Sequence, residues 1–332
     1  MRIAVVIPCF KVTRHIEDVI ARIGPEVEFI FAVDDACPDG SGDHIEKTTK
    51  DPRVKVLRHT SNTGVGGAVI TGYRAALEAG AEILVKVDGD GQMAPELLPQ
   101  FVQPIEVGEA DYAKGNRFYS GSAVSDMPRV RLFGNAFLSF ITKLSSGYWS
   151  IFDPTNGYTA IHSRALASID LDKVAQRYFF ESDMLIRLGD LRAVVVDIPM
   201  RAVYADEVSG LRIGKVVGDF LWRHITATLK RVIYMYFLRD FSLASLNLLF
   251  GLILLTFGVI FGAVAWSESI ITGVPAATGT VMLSALPIVL GFQMLLFFAS
   301  YDIASEPKVP IQRLRFNSHI PTRTDKRAKS DN

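Results

Sequence analysis

Residues 241–266 carry no charged side chain, and neither do residues 276–301. Each stretch exceeds the roughly 20 residues that cross a bilayer. Gly251, Gly258, Gly262 and Pro287 are tolerable inside such helices. Uniformly apolar helices of this length rarely come in pairs in a soluble core, so the pattern predicts two transmembrane helices. The connector 267–275 holds one charge, Glu268. Lys215, Arg223, Lys230, Arg231 and Arg239 precede the first span, and Lys308, Arg313, Arg315, Arg323, Lys326, Arg327 and Lys329 follow the second. This positive bias predicts a cell-membrane hairpin with the N-terminal domain and both termini in the cytoplasm. Two spans make an anchor, not a pore.

The rest of the chain must therefore be read separately. With 332 residues there is room for about two domains, or one domain and an appendage. Lys+Arg and Asp+Glu number 35 each, so no basic surplus points to nucleic acid as a partner. The hydrophobic fraction of 49% is high, and the excess lies after Phe241. Two cysteines, Cys9 and Cys37, exclude a disulfide framework and indicate a reduced, cytosolic domain. The start, through Pro8, is too short and β-branched for a signal peptide.

Before the spans, β-branched runs alternate with helical patterns. Strands are expected at 3–7, 27–33, 54–57 and 83–87, with helices between them. That alternation predicts an α/β fold with a doubly wound, mostly parallel sheet. Ligands of such sheets bind outside the carboxyl ends of the strands. Pro8, Asp34 and Asp35, and Asp88-Gly89-Asp90 all fall on that edge. Taken by itself, Asp88–Gln92 reads as an Asp-Gly turn; its place beside the other strand ends favours a site for a hard cation. Asn62–Gly67 lacks dinucleotide and Walker spacing. Its glycines admit a tight turn into a helix N-terminus that either faces a phosphate or packs. Further strands are expected at 111–115, 159–161 and 193–199, with a polar loop at 119–127, a helix through Phe133 and Leu144, and a turn at 153–158. Residues 213–238 mix apolar and basic side chains at helical spacing, which suits an interfacial helix or a linker helix packed on the domain. His15, His44, His59, His162, His224 and His319 lack ligand spacing and read as structural or solvated.

These motifs together resemble family 2 glycosyltransferases of the GT-A fold, and within them polyprenyl-phosphate glycosyltransferases of the dolichol-phosphate mannose synthase type. The resemblance covers residues 3–210, and the two-span tail matches a subgroup. It rests on Val33-Asp34-Asp35 with Pro38-Asp39-Gly40, on Asn62, Gly64, Gly66 and Ala68, on Asp88, Asp90 and Gln92, on Gly115 with Arg117, and on Asp153 before Gly157-Tyr158. It implies that residues 1–212 form the catalytic domain, 213–240 juxtamembrane helices, 241–303 the hairpin and 304–332 a basic tail. Pro8, Asp34, Asp35, Asp88 and Gly89 would then meet the nucleotide-sugar, and Asp90 with Gln92 would hold Mg²⁺ or Mn²⁺. Arg201 would face the donor diphosphate. Arg117, Arg131 and Asn135 would receive the acceptor phosphate. Two departures stand out: Lys11-Val12 replaces the family's Asn-Glu, and Ser209-Gly210 its Ser-Lys, with Arg212 or Lys215 as substitutes for the latter.

The implied reaction is inverting transfer of a hexosyl group from a nucleotide-sugar to polyprenyl phosphate at the cytoplasmic membrane face. A UDP-sugar is favoured and GDP-mannose is admissible; membrane lipids are partners, and a homo-oligomer is compatible. Asp88, towards the nucleotide, and Asp90, towards the metal on the leaving diphosphate, would count with Asp153 as catalytic. Asp153 is left as a base, a sugar-hydroxyl acceptor or a turn residue before Pro154. Glu181 and Asp183 open a helix, where acids are favourable in any case. Two alternatives remain: an enzyme extending a saccharide on a hydroxyl acceptor, and a non-catalytic membrane scaffold.

Overall fold

The computed structural model describes residues 1–119, 129–200 and 213–314, with backbone alone for 129–131 and 213–217. Helices and strands are labelled here in chain order. Strand β1 (Ile3–Cys9), helix α1 (Ile16–Ala21), β2 (Val27–Asp34), α2 (Ser41–Thr48), β3 (Val54–Arg58), α3 (Val65–Glu78) and β4 (Ile83–Lys86) follow the expected alternation. Next come α4 (Leu98–Glu106), β5 (Tyr112–Asn116), α5 (Arg129–Ser146), β6 (Thr159–His162), α6 (Ser163–Ala167), α7 (Phe180–Leu191) and β7 (Val195–Pro199).

The seven strands form one sheet in the order β3-β2-β1-β4-β6-β5-β7. β1 pairs in parallel with β2 and β4, β2 with β3, and β5 with β7. β6 alone runs backwards, antiparallel to both β4 and β5. β1 and β4 are buried nearly throughout, as expected of parallel strands covered on both faces. Val5, Ile7, Ile30, Val85 and Phe101 belong to one core, where the Phe101 ring stacks on Tyr158 at 4.0 Å.

The described residues divide into two compact units: 1–119, 129–139, 150–200 and 307–314, and 140–149 and 213–306. Residues 311 and 312, expected as part of the basic tail, are held in the first unit. Fully buried Asp111 accepts hydrogen bonds from the backbone N–H groups of Val194 (2.9 Å), Ile311 (2.8 Å) and Gln312 (3.1 Å). The Gln312 amide donates to the carbonyl of Ala110 at 2.6 Å, and Ile311 is buried. The tail from 315 onward lies outside the described residues.

The second unit holds α8 (Ile213–Ile233), α9 (Leu243–Thr272) and α10 (Thr278–Ala304). The last two are long and apolar enough to cross a membrane, and only 11% and 6% of their most apolar windows are buried. That exposure distinguishes them from core helices of a soluble domain. α9 runs past the expected end at 266 to Thr272, where Gly273 terminates it in the left-handed region. The two helices approach closely: a Cβ at Gly291 would lie 2.6 Å from the Leu255 nitrogen, and the Ser284 hydroxyl donates to the Gly258 carbonyl at 3.0 Å. Helix α8 has an exposed apolar face and a buried polar one. Trp222, Ile225, Leu229 and Ile233 are exposed, whereas His224 and Arg231 are buried.

Asp302, an acid near the end of the second apolar helix, is tolerated because it is fully partnered. Arg231 grips it bidentately, Nη1 to Oδ1 at 2.8 Å and Nη2 to Oδ2 at 2.9 Å, and Tyr236 and Trp149 donate to the same carboxylate. Removing one member of a buried ion pair strands the other, at about 3–5 kcal/mol. Asp302→Ala is therefore expected to lower unfolding stability in detergent by that order, whereas Arg231→Met with Asp302→Leu should recover most of the loss. Chemical denaturation of the three proteins checks both statements.

Candidate active site

Parallel strands β1, β2 and β4 end at one edge of the sheet, and β5 and β7, also parallel to them, end there too. Because β6 is reversed, its first residue, Thr159, lies at that same edge, preceded by the turn at 153–158. The strand-end residues and Asp153 are thus gathered along one rim.

On the β1–β2 side, Pro8 is half-buried and lies opposite Val33. Asp34 uses both oxygens on its own turn, accepting from Cys37 N–H and Gly42 N–H at 2.8 Å each. It serves the entry to α2, where Gly42 stands in the first turn. Asp35 is nearly inaccessible, and its carboxylate accepts from Thr63 N–H (2.8 Å), the Thr63 hydroxyl (2.9 Å) and Gly64 N–H (2.8 Å), with His59 Nδ1 at 2.7 Å. Burial alone would raise the Asp35 pKa, but these bonds outweigh it and hold the carboxyl below its ordinary range. His59 is thereby a structural partner, as its lack of ligand spacing implied.

The glycine-rich turn packs. Gly64 has φ +93°, which favours glycine, and a Cβ at Gly66 would lie 2.5 Å from the Ala175 carbonyl. Gly64 N–H goes to Asp35 and Gly67 N–H to the Gln176 carbonyl, so these donors at the start of α3 are spent within the chain.

At the end of β4 the two acids separate. Asp88, about a quarter exposed, accepts from Lys86 Nζ at 2.7 Å. Lys86 is almost wholly buried, lies 3.4 Å from Glu181 and donates to the Gly157 carbonyl at 3.1 Å. Burial works against the Lys86 charge, but Asp88 and Glu181 outweigh it and raise its pKa. Gly89 is buried against Ile7, Val12 and Ile16, which leaves little room for a side chain. Asp90 is half-buried and accepts from Gln92 N–H at 2.9 Å around Gly91, whose φ is +77°. Asp183 caps its own neighbourhood, accepting from Ala175 N–H at 2.8 Å and Arg187 at 3.0 Å.

Arg117 and Asp153, expected to act separately, form a bidentate pair. Arg117 Nε donates to Oδ2 at 2.7 Å and Nη2 to Oδ1 at 3.0 Å, and the Arg117 backbone N–H adds 3.2 Å to Oδ2. The Asp153 side chain is 1% exposed and that of Arg117 31%. Asn135 lies half-buried on α5. The side chain of Arg131 and all of Arg201, with Ser209, Gly210 and Arg212, lie outside the described residues.

Three site-supporting residues were missed in the sequence: Lys86, Lys114 and Asp197. Their signal was a charge inside an apolar run shortly before a strand end. Lys114 is fully buried and donates to the Asn156 carbonyl at 2.5 Å. Burial pulls its pKa down to about 8, against the attraction of Glu181 and Asp153. An unfolded lysine holds its proton to about 10.4. Between about pH 8 and that value the unfolded chain therefore binds more protons, so this group makes stability rise with pH. Lys114→Met is expected to remove that rise, measured as the melting temperature of each protein across the window.

Residues 4–169 match the family model of glycosyl transferase family 2. An undecaprenyl-phosphate mannosyltransferase of Micrococcus luteus is 32% identical over 224 residues, covering 66% of this chain and 90% of that protein. A UDP-N-acetylglucosamine–dolichyl-phosphate N-acetylglucosaminyltransferase of Methanococcus voltae is 31% identical over 222 residues, covering 61% and 86%. Glucosyl-3-phosphoglycerate synthase of Mycobacterium tuberculosis, crystallised with Mn²⁺, uridine diphosphate and glucosyl-3-phosphoglycerate, shares the fold at a TM-score of 0.52 and 20% identity, over 69% of this chain and 79% of that one. With half the chain matching the family and acids gathered where a doubly wound sheet binds its ligands, this protein belongs to glycosyltransferase family 2 and is a glycosyltransferase.

Proposed function

We propose that this enzyme transfers a hexosyl group from a nucleotide-sugar to polyprenyl phosphate at a membrane surface, inverting the anomeric carbon. The observation that carries the reading is an acidic turn, 88–92, on the same sheet edge as a partly exposed arginine, Arg117, in a chain with two membrane-length helices. The names of the two relatives, one for undecaprenyl phosphate and one for dolichyl phosphate, support a lipid phosphate acceptor. The sequence favours a UDP-sugar, while one relative is named for mannose and the other for UDP-N-acetylglucosamine, so both donor types belong in the assay. The basic flanks of the hairpin support an active site on the cytoplasmic side.

Asp90 and Gln92 fit a cation of the magnesium type, which binds through one or two carboxylates, water and substrate phosphate. Among the described residues no three His, Cys, Asp or Glu side chains group together, so such a cation would draw further ligands from the donor diphosphate. Mg²⁺ or Mn²⁺ there would neutralise charge on the leaving group. Asp88 with Pro8 would border the nucleotide, and Asp35 would act through the Thr63–Gly64 turn that it holds. Arg201 and Arg131 retain their proposed phosphate roles, as does Asn135.

In the reaction a phosphate oxygen attacks the anomeric carbon, the bond from that carbon to the diphosphate breaks, and the nucleoside diphosphate leaves with the electron pair. A phosphate monoester, with a second pKa near 6, is already anionic and needs no base. Asp153 is ill suited to be one, since both its oxygens engage Arg117. It orients the guanidinium instead, and presents the partly exposed arginine to the acceptor phosphate.

Purified protein in detergent, given undecaprenyl phosphate and labelled GDP-mannose, UDP-glucose or UDP-N-acetylglucosamine, is expected to form a lipid-linked monosaccharide from one of them. No such product from any donor overturns the reading. Asp90→Ala, or excess chelator, is expected to slow transfer about a hundredfold or more, the scale of several kcal/mol of lost charge stabilisation. Arg117→Ala and Asp153→Ala are each expected to raise the KM for undecaprenyl phosphate about tenfold, with the double variant no worse than the worse single one, because the two act as a unit. Fully additive losses would show that they do not.

A further inference from the structure

Asp197, on the edge strand β7, stands opposite Lys114 in the sheet register. Its Oδ2 accepts two hydrogen bonds, from Asn116 Nδ2 at 2.7 Å and from Phe152 N–H at 3.2 Å. Asn116 immediately precedes Arg117, and Phe152 immediately precedes Asp153. The same two segments also touch through the Phe118 and Phe152 rings, edge to face at 5.4 Å. Asn116 is held at its other end as well, accepting from Phe118 N–H at 2.8 Å. One carboxylate oxygen therefore links the two pieces of backbone that deliver the halves of the Arg117–Asp153 pair. Oδ1, by contrast, is buried with no hydrogen-bond partner.

The geometry points to Asp197 as a positioning residue for the Arg117–Asp153 pair, acting as a hydrogen-bond bridge through Oδ2 and not as a charge or a proton carrier. Both bonds end on the same oxygen, so an amide carbonyl in that place makes both. Burial raises the Asp197 pKa, and Asp153 adds to the rise, while the Phe152 and Asn116 bonds and Lys114 oppose it. A group so placed is of most use for its lone pairs. The inference rests on the proposed role of Arg117 only for its kinetic readout; the bridge itself does not depend on the substrate.

Two variants separate the possibilities. Asp197→Asn keeps an acceptor at Oδ2 and removes the charge, whereas Asp197→Ala removes both. Asp197→Asn is expected to stay within about threefold of the native KM for both undecaprenyl phosphate and donor, since both bonds survive. Asp197→Ala is expected to raise the KM for undecaprenyl phosphate about tenfold or more and to leave that for the donor within about twofold, because small misplacement of a clamp costs on that scale. Hydrogen–deuterium exchange on the full chain should quicken together in peptides covering 115–118 and 151–156 for Asp197→Ala, and stay native for Asp197→Asn. Equal impairment of the two variants would show that the charge matters, and overturns the bridge. Equal loss on both substrates, or unchanged exchange in Asp197→Ala, overturns it too. If the native protein forms no lipid-linked sugar, the proposed function falls, and the exchange measurement still decides the bridge either way.

Discussion

Lys86, Thr159, Lys114 and Asp197 face one another in register across β4, β6, β5 and β7, just below the edge where the site is built. Three of the four are ionisable and lie among apolar side chains, and a charge so placed costs several kcal/mol unless it finds partners. The partners come from the segments above them. Lys86 takes Asp88 and the Gly157 carbonyl, Lys114 takes the Asn156 carbonyl, and Asp197 takes Asn116 and the Phe152 N–H. The turn from 152 to 157 is consequently pinned from beneath at three points. Its conformation follows from charges that would otherwise be stranded.

The same row sets the electrostatics of the rim. Asp88 shares its charge with Lys86, and Asp153 with Arg117, so neither is a naked carboxylate. Asp90 stands on a turn permitted by the positive φ of Gly91 and accepts from Gln92 N–H; it is the acid proposed above for the cation. On the other side of the sheet's midline, Asp35 is spent on a turn, with His59 and Thr63 as its fixed partners. Acids that look alike along the chain thus fall into different duties because their neighbours differ. Burial with ready-made donors makes an anchor, and partial exposure on a turn leaves an acid at the rim.

In the second unit one bidentate pair has a comparable role. Arg231 and Asp302 join α8 to the end of α10, with Tyr236 and Trp149 completing the carboxylate's shell. Length and absence of charge made both membrane-length helices readable in the sequence, the properties a bilayer asks of a helix that crosses it. The end of the first helix was not, since Ser267 and Glu268 break the apolar run and the helix stops only at Gly273. The segment beyond the second apolar helix read only as a basic tail. Asp111 captures its first turn, a contact across about two hundred residues that no local pattern encodes.

Strand ends, acidic turns and apolar spans are local properties, carried by consecutive residues through steric and solvation preferences, and they were legible residue by residue. So were the mostly parallel sheet and the edge on which Pro8, Asp34, Asp35 and Asp88 would gather. Partnership was not legible. The reversal of β6 brings Asp153 to that edge, and register aligns Lys86, Lys114 and Asp197 under it. Asp153 could be read as base, sugar ligand or turn until its pairing with Arg117 was seen, and Asp197 carried no motif at all. Which charges neutralise each other depends on distances between strands far apart in the chain, and those distances exist only once the sheet has closed.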